Sequence, residues 1–158
     1  MVIGSNPITL IIYKPMLLFP KKTKFQKNFS GKNVFPSKVK STSLPKYASV
    51  VLLANEPGKI TNYEFEAVRR FLRRLLKKKA QIFFRVFPNT PITKKPNDVR
   101  LGRGKGNLKY WAALIKKGMV LIEVRCSDTA FAKKVLDASK IKLSVKTSTF
   151  NNQQRWIL

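Results

Sequence analysis

The residues best suited to binding an anion form a run of alternating glycines and cations, RLGRGKGN, at positions 100–107. The glycines let the backbone approach a ligand closely, and the cations can pair with phosphate. The residues concerned are Arg100, Gly102, Arg103, Gly104, Lys105 and Gly106. The spacing is neither that of a P-loop nor that of a dinucleotide-binding fingerprint, so we expect no nucleotide cofactor. A flexible glycine linker is the alternative interpretation.

Residues for catalysis are scarce. The chain has no histidine and one cysteine, Cys126. Without histidine there is no Ser-His or Cys-His pair to activate a nucleophile near neutral pH. A lone cysteine excludes an intrachain disulfide, and the zinc patterns that combine Cys with His are also excluded. We therefore expect no catalytic residues, no metal site, no cofactor and no enzymatic activity.

Charge predicts the class of partner. Among 158 residues, Lys and Arg total 33 against seven acidic residues, a formal net charge of +26. Nucleic acid is the best match for such a chain, because each neutralised phosphate releases condensed counterions. An anionic membrane is the weaker competitor. Since 44% of the residues are hydrophobic, part of the chain should fold around a core, and one domain is the default for this length.

A basic arm follows the N-terminus. Over residues 21–46, lysines alternate with Phe, Ser, Thr and Pro without helical or strand periodicity. We expect this arm to lie extended along RNA, with its lysines on phosphates and its phenylalanines on bases or apolar protein surface. A solvated disordered tail is the alternative. The lysines expected to bind RNA are Lys21, Lys22, Lys24, Lys27 and Lys32.

The clearest element is a helix from Thr61 to about Lys79. Thr61 and Glu64 have the spacing of a capping box. One arc of the helix is apolar and comprises Phe65, Val68, Phe71, Leu72, Leu75 and Leu76. The other arc is cationic and comprises Arg69, Arg70, Arg73, Arg74, Lys77 and Lys78. We expect the first arc to pack and the second to contact RNA; a helix lying on a membrane surface is the rival interpretation.

The rest of the chain predicts an α+β fold. We expect a strand over residues 82–87 and two strands over 108–115 and 119–125. Between the first two we expect an ordered proline-containing loop over 88–99, with a flexible proline-rich segment as the alternative. Residues 116–118, ending in glycine, would join the second and third of these strands as a hairpin turn. A strand over 143–150 should close the chain. Two helices would then pack on an antiparallel or mixed sheet, with the basic arm and the long glycine-rich loop outside it.

A second helix precedes the closing strand. Asp128 or Ser127 can cap its N-terminus. Phe131, Val135 and Ala138 are the positions expected to pack.

Several segments together resemble the large-subunit ribosomal protein sixteen family, in its bacterial and organellar form. The segments are FPKKTKFQK, ANEPGKITNYEFEAVRR, RVFPNTPITKKPNDVRLGRGKGNLKYWAALIKKGMVLIEV and KLSVKTSTF. The third, residues 85–124, is the most specific, and the resemblance covers about residues 19–151. The chain departs from the family at Glu64, where glutamine is usual, and it matches poorly over residues 33–48.

The resemblance implies a structural constituent of the large ribosomal subunit whose partners are large-subunit rRNA, acceptor-site tRNA and neighbouring ribosomal proteins. It implies support of tRNA binding, of the RNA-catalysed peptidyl transferase region and of late subunit assembly. Lys21, Lys22, Lys24 and Lys27 would hold rRNA. The loop carrying Arg100, Arg103 and Lys105 would reach toward tRNA. We expect no homo-oligomer.

The ends of the chain lie outside this resemblance. The expected division is an N-terminal extension (1–18), an rRNA-binding arm (19–48), an α+β core (49–151) and a C-terminal extension (152–158). Pro7, Lys14 and Pro15 interrupt the apolar start, so we expect no membrane span. The first arginine is Arg69, so we expect no mitochondrial presequence.

Localisation follows from the choice of basic residue. The chain has 24 lysines and nine arginines, with much Phe, Ile and Asn, as is usual for AT-rich genomes. This composition predicts an organelle-encoded protein of the mitochondrial ribosome in the matrix. A plastid or a bacterial cytoplasm remains the alternative.

Overall fold

Seven strands and two helices occupy most of residues 50–151 in the computed structural model, which describes residues 18–28, 45–99, 102 and 104–151. A short 3-10 turn, Lys140–Lys142, follows the second helix. In chain order the elements are β1 (Val50–Ala54), β2 (Gly58–Thr61), α1 (Asn62–Leu76), β3 (Ala80–Phe84), β4 (Thr90–Lys94), β5 (Asn107–Ile115), β6 (Val120–Cys126), α2 (Thr129–Ser139) and β7 (Thr147–Asn151). No helix among these residues is long and apolar enough to cross a bilayer.

The strands form two antiparallel sheets rather than one. The four-stranded sheet has the order β3-β6-β1-β7, and the three-stranded sheet has the order β2-β5-β4. Both helices pack on these sheets and on each other. The predicted α+β class with two helices on antiparallel strands is therefore confirmed.

The predicted hairpin between β5 and β6 is wrong. The turn is present, with Gly118 at a φ of 79° and its N–H donating to Ala54 O at 2.7 Å, but the two strands lie in different sheets. The first five residues of β6, Val120 to Val124, are all buried. A strand buried on both faces is stable in the interior of a sheet, and β6 accordingly lies between β3 and β1.

The loop predicted over residues 88–99 contains a strand, so that prediction is also wrong. Strand β4 pairs with β5, and Pro91 lies opposite Trp111. Proline has no N–H to donate, but β4 is an edge strand and this loss is tolerated there. The glycine-rich run therefore belongs to the long loop, residues 95–106, that joins β4 to β5.

Helix α1 begins where the capping box predicts. The Glu64 N–H donates to Thr61 Oγ1 at 3.2 Å, and the Thr61 N–H donates to Glu64 Oε2 at 2.7 Å. The helix ends at Leu76, about three residues before the predicted end, because Lys77 takes a φ of 49°. Its buried stripe is narrower than predicted, since Leu75 is 40% exposed. The residues of α1 that are fully buried are Phe65, Val68, Leu72 and Leu76.

Helix α2 is capped as predicted, by Asp128, whose carboxylate accepts the Phe131 N–H at 2.9 Å. Its packing face is Ala132, Val135, Leu136 and Ser139. Phe131 and Ala138, predicted to pack, are exposed. Two helical arcs contain Val135, and spacing alone does not choose between them.

Two strands have bounds that differ from the predicted ones. Strand β3 runs from Ala80 to Phe84 instead of 82–87, and β7 starts at Thr147 instead of 143. Val145 lies before β7 but is buried, against Gly58.

Candidate RNA-binding surface

The N-terminal arm contacts the glycine-rich loop directly. The Lys27 ammonium donates to the Lys105 carbonyl at 3.2 Å, and the Lys105 ammonium donates to the Asn28 carbonyl. These reciprocal bonds join two segments that are far apart in sequence. The arm and the loop are therefore one surface.

Residues 21–28 of the arm are all exposed. Lys21, Lys22, Lys24 and Lys27, all expected to bind rRNA, are open to solvent. Leu18, just before them, is only 5% exposed and belongs to the hydrophobic core. The core therefore fixes the point from which the arm departs. Lys32, the fifth lysine expected to bind rRNA, lies outside the described residues.

The glycines of the loop have two different roles. Gly102 and Gly104 take positive φ angles of 104° and 76°, which residues with a Cβ rarely adopt, and open space surrounds them. Gly106 instead lies against β4, where an added Cβ would be 2.6 Å from both the carbonyl carbon and the carbonyl oxygen of Lys94. The close approach at Gly106 is therefore to the backbone at the end of β4, not to a ligand. Arg100 and Arg103 lie outside the described residues.

The cations of the α1 arc differ in whether they pair with a carboxylate. Glu66 accepts two hydrogen bonds from Arg69, at 2.7 and 2.8 Å, and one from Arg70 at 2.9 Å. The Arg69 hydrogen bond, together with that from Arg70, holds the pKa of Glu66 below its usual value despite partial burial. The same contact raises the pKa of Arg69. Arg69 is thus committed to an intrahelical pair.

The C-terminal half of the arc is better placed for phosphate. Arg74, Lys77 and Lys78 are exposed, whereas Arg73 is half-buried. Among the described residues no carboxylate pairs with any of these four. Unpaired cations near a helix C-terminus are also stabilised by the helix dipole. The cations most available for RNA on α1 are therefore Arg74, Lys77 and Lys78, with Arg70 partly engaged by Glu66.

An open groove lies where the long loop meets β4 and β5. Three lysines line it with two asparagine amides, a combination of charge and donors suited to phosphate. The lining lysines are Lys94, Lys95 and Lys109, and the asparagines are Asn97 and Asn107. The sequence did not mark these lysines, because the strand that carries Lys94 was expected to be a loop.

A buried carboxylate holds the chain at the end of the basic arm. Glu123 is 0% exposed, and it accepts backbone N–H bonds from Lys46 at 3.2 Å, Tyr47 at 2.7 Å and Ala48 at 3.1 Å. Arg85 donates to the same carboxylate at 2.5 Å. Four donors therefore satisfy one buried charge. The sequence signal for this cluster is a single acidic residue inside the apolar strand 119–125.

An aromatic pair lies beside this carboxylate. The rings of Tyr47 and Phe83 are stacked, with centroids 5.2 Å apart and planes inclined by 26°. The Arg85 guanidinium lies 5.3 Å from the Tyr47 ring centroid. Tyr47 is nevertheless 55% exposed. None of these residues was expected from the sequence to be functional.

These groups can bind anions and aromatic rings. Within the described residues no group of three or more His, Cys, Asp and Glu could hold a metal ion. The chemistry they offer is recognition by cations, amides and rings.

Comparison with known proteins gives a family. Residues 20–150 match the family described as Ribosomal protein L16p/L10e. Similar relatives include large ribosomal subunit protein uL16 of Blochmanniella pennsylvanica, 41% identical over 84% of this chain and 97% of the relative. The uL16 of Acinetobacter baumannii (strain ATCC 17978) is 39% identical over 84% of this chain and 95% of its own length. That of Rhizobium etli (strain CIAT 652) is 37% identical over 83% and 94%. The chain therefore belongs to the ribosomal protein L16p/L10e family.

Proposed function

We propose that this protein is a structural constituent of the large ribosomal subunit that binds large-subunit rRNA through its arm, its loop and α1. The observation that carries the proposal is the contact between Lys27 and Lys105, which joins the exposed lysines of the arm to the glycine-rich loop. Family membership supplies the ribosomal setting. The protein contributes RNA contacts to the large ribosomal subunit and performs no catalytic step of its own.

Binding is electrostatic in this proposal. Each lysine or arginine that reaches a phosphate releases counterions, and the chain's charge of +26 allows many such contacts. The arm, the lysines of the groove and the exposed half of the α1 arc supply these cations.

The long loop has a separate role in the proposal. It supports tRNA binding at the acceptor site, the peptidyl transferase region and subunit assembly. The support for this is the resemblance over residues 85–124 and the open, positive-φ backbone at Gly102 and Gly104. Neighbouring large-subunit proteins complete its surroundings.

Cofractionation tests the proposal. The tagged protein should sediment with large subunits, should remain there after DNase treatment and should be released by RNase. Purified protein should also bind large-subunit rRNA with an affinity that falls steeply between low and physiological salt. Flotation with anionic lipid vesicles, combined with salt-insensitive RNA binding, would overturn the proposal in favour of a membrane-surface protein.

We also propose that the ribosome concerned is mitochondrial. The support is compositional, namely 24 lysines against nine arginines in a chain rich in Phe, Ile and Asn. Mass spectrometry of purified mitochondrial, plastid and cytoplasmic ribosomes from the source cells tests this assignment. Recovery of the protein's peptides only from a non-mitochondrial fraction would overturn it.

A further inference from the structure

Tyr47 lies on the face of the four-stranded sheet that carries Glu123. Strand register aligns Phe83 with Glu123, Glu123 with Val51, and Val51 with Phe150. These four residues therefore form one row across the sheet. The middle of the row is fully buried, at 0% for Glu123 and 1% for Val51, whereas Phe150 at one end is 52% exposed.

The segment over residues 46–48 covers Glu123, and it presents the Tyr47 ring at the other end of the row. Three contacts fix the position of Tyr47. Its backbone N–H is bonded to Glu123, its ring is stacked on Phe83, and the Arg85 guanidinium lies against it. Phe83 and Arg85 are two residues apart, so their side chains leave the same face of the chain. Tyr47 as a whole is nevertheless 55% exposed, so aromatic surface remains accessible beyond these contacts.

The surroundings of the ring are cationic. Lys46 beside it is exposed. Arg125, also exposed, is two residues from Glu123 on β6 and so lies on the same face of the sheet. The Glu123 carboxylate, on the same face, is paired with Arg85. A flat, fixed aromatic surface flanked by exposed cations matches the chemistry of a nucleotide, whose base stacks while its phosphate pairs with a cation.

We propose that Tyr47 is a base-stacking residue for an unpaired RNA nucleotide, and that Glu123 positions it. The inference rests on the proposed rRNA binding and names one contact within it. Stacking adds to phosphate binding and is tolerant of base identity, because every base has a flat face. Lys46 and Arg125 contact the flanking phosphates.

Two probes of equal length and charge separate stacking from phosphate binding. These are an oligoadenylate and an abasic oligonucleotide with the same backbone, each titrated against the full chain. The wild-type protein should prefer the oligoadenylate. Tyr47→Leu should reduce that preference by about tenfold while leaving affinity for the abasic probe unchanged. Tyr47→Phe should retain the preference, and Phe150→Leu, which removes an exposed ring from the same face, should retain it as well.

The positioning role of Glu123 has its own readout. Glu123→Gln, assayed at a temperature at which circular dichroism shows it to be folded, should lose base preference and keep abasic binding. A retained preference would overturn the positioning role.

The remaining outcomes are decisive for the stacking itself. If Tyr47→Leu keeps the wild-type preference, or weakens both probes equally, the stacking assignment is wrong although salt-dependent rRNA binding stands. If the wild-type chain binds large-subunit rRNA weakly and without salt dependence, the proposed function fails and the stacking assignment fails with it.

Discussion

Arg85 and Glu123 form the most buried ion pair among the described residues, with 2.5 Å between the guanidinium and the carboxylate and 18% and 0% exposed side chains. Arg85 follows β3, and Glu123 lies on the adjacent strand β6. The same carboxylate binds the backbone at residues 46–48. One side chain therefore links an edge of the sheet to the end of the basic arm.

Glu123→Gln should destabilise the fold by about 3 kcal/mol, because the substitution leaves the Arg85 charge unpaired in a largely buried position. Urea unfolding at neutral pH measures the loss. Asp98→Asn is the matched control, since Asp98 is exposed and should give a change within about 0.5 kcal/mol. Equal effects of the two substitutions would show that the ion pair contributes nothing net.

The exposed half of the α1 arc should account for part of the salt dependence of rRNA binding. Replacing Arg74, Lys77 and Lys78 together with Gln should reduce the slope of log affinity against log salt by about 0.7–0.9 for each lost phosphate contact. The unfolding temperature should fall only slightly, through the lost interaction of these charges with the helix dipole. The control replaces three exposed lysines elsewhere, Lys117, Lys133 and Lys134. A slope reduced as much by the control would mean that charge count matters and the position of α1 does not.

Alanine at Gly106 should be more harmful than alanine at Gly104. The added Cβ at Gly106 meets the Lys94 backbone at 2.6 Å, and the backbone shift required should cost about 2–3 kcal/mol. At Gly104 the space is open and the positive φ alone should cost about 1 kcal/mol. Denaturant unfolding of both variants gives the order. The reverse order would mean that the backbone between β4 and β5 shifts at Gly106 with little cost in free energy.

Acid should weaken the fold through Glu66 and Asp137. Although burial of the Asp137 carboxylate opposes ionisation, hydrogen bonds from Lys140 and Thr149 hold its pKa below its usual value, as Arg69 does for Glu66. Both carboxyls bind protons more readily in the unfolded chain. Their stabilisation is therefore complete above the ordinary values of 4.5 and 3.8, and it is lost as pH falls through the lower folded pKa values.

Unfolding free energies measured at a series of pH values from neutral downward provide the test. Glu66→Gln should flatten the decline below the ordinary carboxyl pKa, whereas Asp98→Asn should leave its slope unchanged. If the unfolding free energy of Glu66→Gln falls with pH as steeply as that of the wild type, Glu66 does not contribute to the loss of stability in acid.

Arg100→Ala with Arg103→Ala should separate attachment from tRNA binding. The arm and α1 supply most of the cations, so large subunits should keep normal amounts of the protein while binding acceptor-site tRNA less well. Lys116→Ala with Lys117→Ala is the control, because this turn lies at the opposite end of β5 from the long loop. Quantitative mass spectrometry of isolated subunits gives occupancy, and tRNA binding is measured on the same particles. Loss of the protein from the subunits would make the loop an attachment site instead.

Local patterns predicted the elements that depend on local physics. The capping box at Thr61 and Glu64 marked the start of α1, and the apolar arc identified its four buried residues. Pairing between strands depends on partners distant in sequence, and here prediction failed. The Gly118 turn suggested a hairpin, although the burial of β6 on both faces required neighbours on two sides. Pro91 hid strand β4, because only an edge position makes a proline acceptable there.

In the candidate site, too, local features were predicted from the sequence and features built from distant segments were not. The arm, the α1 arc and the loop could be identified from the sequence, because their charges and glycines are close together along the chain. The Glu123 cluster gathers backbone groups at residues 46–48 and a side chain at Arg85, and its three parts are separated by long stretches of chain. A single glutamate in an apolar strand was its visible sign. The groove lysines became recognisable only with the register of β4 against β5.

The strand order of the four-stranded sheet also sets when this protein can fold as it is synthesised. Strand β1 ends at Ala54, but its two neighbours begin at Val120 and Thr147. A nascent chain therefore exposes both edges of an apolar strand until the segments that form β6 and β7 have been made, and such non-local pairing is slow. The four-stranded sheet therefore cannot be completed before residues 147–151 have been made, and during that interval the basic segment before β1 is already available to RNA while β1 still lacks its partners.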